Sequence, residues 1–332
     1  METSDLRFAY LLGHEKPKTL LREAVAKNKL AHAYLFRGPD GVGKKKAALA
    51  LAAYINCKSP LEDDSCGQCP SCRKYFSGNH PDLVLVEPDG AAIKIGQIRN
   101  LKHQLAFPPL EAKVRVVILE DIHTMRREAA NSLLKTLEEP PPGNLLILTA
   151  DLAGEILPTI LSRCQIIPFG PLKHEDMVLL LLQKNDMDES LAHTLAAVAE
   201  GSPGRAKFLW QENLLSIRQE VIEGLLLGGH DQAETVARVL RLSEKAAALK
   251  ENTSEFLALI RLWYRDLLLA AAVGPEAAIV NRDLALSLPA ATQLWSLKQL
   301  HEKIQRLDLA ESQLSRNCSR TLVLETLFFD LI

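Results

Sequence analysis

Four cysteines fall within sixteen residues: Cys57, Cys66, Cys69 and Cys72, spaced C-x8-C-x2-C-x2-C, with Gly67 and Pro70 in the short turns. Four thiolates at this spacing suit structural Zn²⁺, which takes a closed tetrahedron of ligands and leaves no open position. An iron–sulfur cluster accepts the same four sulfurs and is the chemical rival. His80 stands nearby as a substitute ligand. In a reducing compartment such a cluster reads as a metal site and not as a disulfide framework. Cys164 and Cys318 stand apart and are expected to be ordinary buried thiols.

A second constellation is Gly38-Pro39-Asp40-Gly41-Val42-Gly43-Lys44-Lys45, which follows the strand-like AYLFR and opens a helical pattern. Glycines in this setting let backbone N–H groups wrap phosphates at a helix N-terminus, and Lys44 would reach the β- and γ-phosphates. The complete motif ends in Ser or Thr, whose hydroxyl ligates Mg²⁺. Here that place holds Lys45, an ammonium with no lone pair to offer. The apolar run VRVVIL then leads into Glu120-Asp121, where a nucleotide site needs Asp before Glu. Exchanging the two moves each carboxylate by a methylene, and Mg²⁺ tolerates little error around its octahedron. The expectation is a degenerate site that does not hydrolyse ATP and holds ATP or ADP weakly if at all.

The elements that must position these residues alternate through the first half of the chain. Strands are predicted at Tyr34–Arg37, Leu83–Glu87, Val114–Leu119, Leu145–Thr149 and Gln165–Phe169, with helices at Lys44–Asn56, Gly96–Leu105 and Arg126–Glu138. This β-α alternation predicts an α/β fold with a parallel sheet. From about Lys173 onward Leu and Ala recur at helical spacing and no strand pattern appears. Three domains are expected: an α/β nucleotide-binding-like domain over 1–169 with the cysteine insert at 57–78, a helical lid over 170–210, and a helical C-terminal domain over 211–332. Gly201-Ser202-Pro203-Gly204 punctuates the helices, and Leu226-Leu-Gly-Gly and Val273-Gly-Pro mark later joints. Trp263, Tyr264 and Trp295 are expected to pack the last domain.

The order of these pieces resembles the clamp-loader branch of AAA+ proteins. The resemblance rests on His32-Ala-Tyr-Leu-Phe-Arg-Gly-Pro before the phosphate loop, the four-cysteine insert after its helix, His80-Pro-Asp and Ile95-Gly-Gln-Ile-Arg99. It continues through Asn131-Ser-Leu-Leu-Lys-Thr-Leu-Glu-Glu-Pro140, Leu161-Ser-Arg-Cys164 and Gly201-Ser-Pro-Gly-Arg205. It covers residues 10 to 210; the remainder matches only in being helical. Within the branch, the altered phosphate loop and His80-Pro-Asp are more similar to the delta-prime type than to the gamma/tau motor.

The resemblance implies an AAA+ fold whose last domain is an oligomerising collar. It implies that Arg163 is an arginine finger acting on the ATP of a neighbouring subunit. Arg205 falls at the sensor-2 position and Thr149 at sensor-1, and Asn131 and Lys135 lie on a helix face that approaches DNA or is merely solvated. Implied partners are the gamma/tau and delta subunits, with the sliding clamp and primed DNA reached through the complex. Implied cofactors are structural zinc here and Mg-ATP at neighbouring subunits.

Composition narrows the classes further. The chain has 332 residues, 47% of them hydrophobic but only 5% aromatic, so its cores must be aliphatic. Lys+Arg 39 against Asp+Glu 41 leaves a net charge of −2, without the basic excess of a protein that grips DNA alone. That argues against a plain nucleic-acid module with zinc as its reading head. A working gamma/tau-like ATPase that tolerates Lys45 is the enzyme alternative. No signal-peptide layout opens the chain and no apolar run approaches the ~18 residues of a membrane span; a cytoplasmic accessory subunit without independent ATPase activity is expected.

Overall fold

The computed structural model describes residues 6–152, 154–184, 187–227, 231–274 and 277–332. The first five residues of the N-terminal stretch read for a leader, Gly228 and Gly229 of one predicted joint and Pro275 of the other lie outside these residues. The chain divides into two units, one of 1–180 with 200–205 and one of 181–199 with 206–332.

The first unit is built on five strands: β1 (Ala33–Arg37), β2 (Leu83–Val86), β3 (Arg115–Leu119), β4 (Asn144–Ala150) and β5 (Gln165–Pro168). All pair parallel, in the order β2-β3-β4-β1-β5. Its helices are α1 (Glu15–Ala26), α2 (Lys44–Ile55), α3 (Pro70–Phe76), α4 (Ile95–Leu105), α5 (Arg127–Glu138) and the short α6 (Pro158–Leu161). A parallel sheet covered on both faces favours near-continuous apolar strands, and β3 and β4 are buried throughout, polar only at Arg115, Asn144 and Thr149. The period of two then sorts them. Tyr34, Phe36, Val116, Ile118, Leu145 and Ile147 join the core under α2; Leu35, Val117, Leu119, Leu146 and Leu148 join the one under α4 and α5. The expected strands and helices appear with ends shifted by a residue or two.

Helix α7 (His174–Lys184) crosses the boundary between units. The second unit continues with α8 (Glu189–Val198), α9 (Pro203–Gln211), whose first turn belongs to the first unit, α10 (Leu214–Leu226) and α11 (Gln232–Ala247). The long α12 (Thr253–Val273), the short α13 (Leu288–Ala291), α14 (Leu297–Ser315) and α15 (Arg320–Leu331) follow. Its core is aliphatic around Trp263 and Tyr264, both 1% exposed, with the Tyr264 hydroxyl donating to the Leu331 carbonyl at 3.0 Å. Trp295 packs half-buried against it. Arg218 is fully buried, which lowers its pKa against the pull of Asp283, and Asp283 and Asn281 accept from its guanidinium. Among the described residues no helix is long and apolar enough to cross a membrane.

Candidate metal and nucleotide-binding sites

The cysteine cluster closes between the end of α2 and the start of α3. Its four Sγ atoms all lie within 4.8 Å of one another. Cys57 and Cys69 are 4.0 Å apart and Cys66 and Cys72 3.9 Å, far beyond a disulfide at about 2.05 Å. A tetrahedron with arms of about 2.3 Å has edges near 3.8 Å, so the cage fits one ion. Backbone N–H groups of Cys66, Cys69 and Cys72 donate to the sulfurs of Cys57, Cys66 and Cys69 at 3.3, 3.3 and 3.4 Å. Burial works to raise the Cys69 thiol, but these donors and its neighbours hold it down at about 6, whereas burial keeps Cys57 and Cys72 high. The cluster can hold a metal ion.

His80 is not part of the cage. Its ring stacks on Tyr75 at 4.0 Å, and its Nδ1 accepts from the Asp82 N–H at 3.1 Å. Asp82 explains the His-Pro-Asp string. Its fully buried carboxylate accepts from the N–H groups of Leu110, Glu111 and Ala112 at 2.7, 2.8 and 2.9 Å, and Arg115 lies 3.3 Å away. Burial alone would raise this carboxyl; the backbone donors and Arg115 outweigh it and hold it below the usual range. The string therefore ties the loop before β3 to the start of β2. The expectation for the remaining cysteines needs one correction: Cys164 is half-buried, with burial pushing its thiol up to about 11, but Cys318 is exposed, since nothing packs over its turn between α14 and α15.

The phosphate loop joins β1 to α2, with Gly41 and Gly43 at φ +71° and +110°. Lys44, 6% exposed, turns back onto the loop and donates to the carbonyls of Gly38 and Pro39 at 2.7 and 2.8 Å. Burial lowers its pKa, opposed by Asp40, Asp121 and Asp151. Asp40 accepts the Gly41 N–H on its own carboxylate at 2.7 Å, placing a negative charge on a donor that would face phosphate. The Gly201–Arg205 segment lies across the loop. Ser202 donates to the Asp40 carbonyl at 2.8 Å and the Gly204 N–H to the Gly41 carbonyl at 2.9 Å. The two backbones approach so closely that a Cβ on Gly204 would sit 2.6 Å from the Gly41 Cα. Arg205 turns to Glu200 at 3.4 Å.

Lys45 shows what the altered motif does. Its ammonium lies 2.5 Å from Glu87, just past β2, and 2.6 Å from Glu120, just past β3. Burial would lower the Lys45 pKa, but the two carboxylates outweigh it and raise it. Burial raises Glu120, while the bond to Lys45 lowers the more exposed Glu87. A protein cation thus sits between two carboxylates at the carboxyl edge of the sheet. Asp121 adopts left-handed backbone, φ 49°, and donates its N–H to the buried Thr149 hydroxyl at 3.1 Å. Thr149 pins that turn. Glu87 was read only as a strand end; its place beside Glu120 follows from β2 pairing with β3, which the sequence does not announce.

Arg163 follows α6, with its side chain 32% exposed. Its Nη1 donates to the Thr159 carbonyl at 2.9 Å and the Ser162 hydroxyl at 3.1 Å, and its Nη2 pairs with Glu138 at the end of α5. Asn131 and Lys135 are exposed on α5.

A family model described as DNA polymerase III, delta subunit, matches residues 13–173. DNA polymerase III subunit delta' of Bacillus subtilis is 34% identical over 290 residues, 81% of this chain and 81% of that protein. The subunit of that name from Pseudomonas aeruginosa is 33% identical over 241 residues, 71% of this chain and 70% of the other. DNA polymerase III subunit tau of Bacillus subtilis is 32% identical over 201 residues, 59% of this chain and 35% of the relative.

Proposed function

The chain belongs to the DNA polymerase III subunit delta' family, and from that premise we propose that it is the non-hydrolysing subunit of a clamp loader. In this role it supports ATP-driven loading of a sliding clamp onto primed DNA beside gamma/tau and delta subunits. It works in the cytoplasm, and it lends Arg163 to the ATP site of a neighbour. The observation that carries the proposal is Lys45: an ammonium bonded to Glu87 and Glu120 holds the ground that Mg²⁺ needs. The acid on the Gly41 N–H and the segment lying over Gly41 point the same way, so Gly38, Gly41, Gly43, Lys44, Glu120, Asp121, Thr149 and Arg205 form a degenerate nucleotide site. The same features weigh against a gamma/tau-like motor.

The half-exposed guanidinium of Arg163 is suited to stabilising charge on a phosphoryl group presented from outside the chain. Cys57, Cys66, Cys69 and Cys72 would hold Zn²⁺, which supplies a structural cross-link there. Residues 170–210 act as the lid and 211–332 as the collar that assembles the ring. The experiment is an Arg163→Ala chain in a reconstituted loader. ATP turnover at the site it serves should fall by about 10³-fold or more, lowering the total by that site's share; unchanged turnover would exclude the finger.

A further inference from the structure

We propose that Glu138 is a positioning residue for Arg163, fixing the direction in which the guanidinium is presented to the neighbouring subunit. The inference rests on the finger role just proposed. Glu138 is the last residue of α5, followed by Glu139. A carboxylate there faces the negative end of the helix dipole, so helix stability does not account for it. Arg163 does. Its Nη2 pairs with the Glu138 carboxylate while Nη1 is held by the Thr159 carbonyl and the Ser162 hydroxyl. Two nitrogens of the planar guanidinium are thereby anchored from two separate elements, α5 and the end of α6, and the plane cannot swing. The Nε–H is buried and has no partner, and Nη2 keeps a second proton beside its bond to Glu138. That second Nη2 proton is the donor left for an incoming phosphate. A donor whose orientation is set beforehand loses less freedom when the transition state forms.

The pair is half-exposed, with side chains 32% and 46% accessible, and such pairs contribute little to stability. Removing Glu138 should therefore leave folding alone and change catalysis, which separates positioning from a structural role. The test uses the reconstituted loader carrying Glu138→Ala, Glu138→Gln, Arg163→Ala, or Arg163→Ala with Glu138→Ala. Glu138→Ala should lower the Arg163-dependent part of kcat by on the order of tenfold, with KM for ATP and the melting temperature unchanged. Glu138→Gln, whose amide oxygen accepts the same bond, should recover most of the rate. The double variant should match Arg163→Ala alone. Turnover that stays the same or rises in Glu138→Ala overturns the proposal, as does a loss that persists at full size without Arg163. If Arg163→Ala itself leaves turnover intact, the finger role fails first and is recognised as such.

Discussion

Replacing Lys45 by Thr restores the hydroxyl of an ordinary phosphate loop, and the structure predicts that the first effect is instability. Both carboxylate oxygens lie within 2.6 Å of one nitrogen, so without the ammonium two charges face each other at no more than about 5 Å. At an effective dielectric near 20 that repulsion approaches ~3 kcal/mol. It is capped, because Glu120 can take up a proton. The bond to half-exposed Glu87 contributes about 0.5 kcal/mol. The bond to Glu120, whose side chain is 17% exposed, contributes about 1–2 kcal/mol after discounting the partly exposed Lys45.

The two lost bonds give about 1.5–2.5 kcal/mol and the uncovered repulsion up to ~3 more, so the net loss at pH 8 is about 2–5 kcal/mol, or roughly 4–20 °C in Tm for a unit of this size. Its pH dependence has a definite sign. Glu120 already has a raised folded pKa, so in the variant its contribution is present below its unfolded value near 4.3 and is lost as pH rises. The deficit should be small at about pH 4.5 and full above about pH 7. Lys45→Met should behave alike, whereas millimolar Mg²⁺ should restore part of the loss in Lys45→Thr alone. Differential scanning calorimetry across pH, with and without Mg²⁺, reads all of this. A deficit that ignores pH, or a wild-type protein stabilised by Mg²⁺ as much as the variant, would refute the idea that Lys45 replaces the metal.

Removing Asp82 as Ala strands a buried Arg115 and three backbone donors, so it should cost about 3–5 kcal/mol in urea unfolding. Because the Asp82 pKa is depressed, its contribution is present above the unfolded value of about 3.9 and fades as pH falls through the folded value; the gap between wild type and Asp82→Asn should narrow below about pH 4. Elemental analysis should find about one zinc per chain, lost when Cys69 and Cys72 are both replaced by Ser, together with cooperative unfolding near α3 seen by hydrogen exchange. An iron-rich, coloured preparation would count against zinc.

What the sequence determined by itself is whatever depends on residues close together in the chain. The strands announced themselves because burial on both faces leaves near-continuous apolar runs, as in VVIL and LLIL. The four cysteines were legible because three short loops suffice to bring their sulfurs together. Lys45 was visible as a defect at the end of a local motif. What it does instead was not, since its partners lie 42 and 75 residues away and meet only where β2 pairs with β3.

The same holds for the Gly201–Arg205 segment, which reads as helix punctuation but seats on Gly41 because both strands of backbone lack a side chain at the crossing. Asp82 looked like part of a signature; its purpose, holding three N–H groups of a loop before another strand, exists only in three dimensions. Cys318 reads as apolar from its type, yet burial is a property of what packs over it, and nothing does. Arg163 stands in a short local string, but its pairing with Glu138 joins residues 25 apart. Local chemistry is written along the chain, but an ion pair needs two residues within about 4 Å, and that distance is decided only when the sheet and its helices assemble.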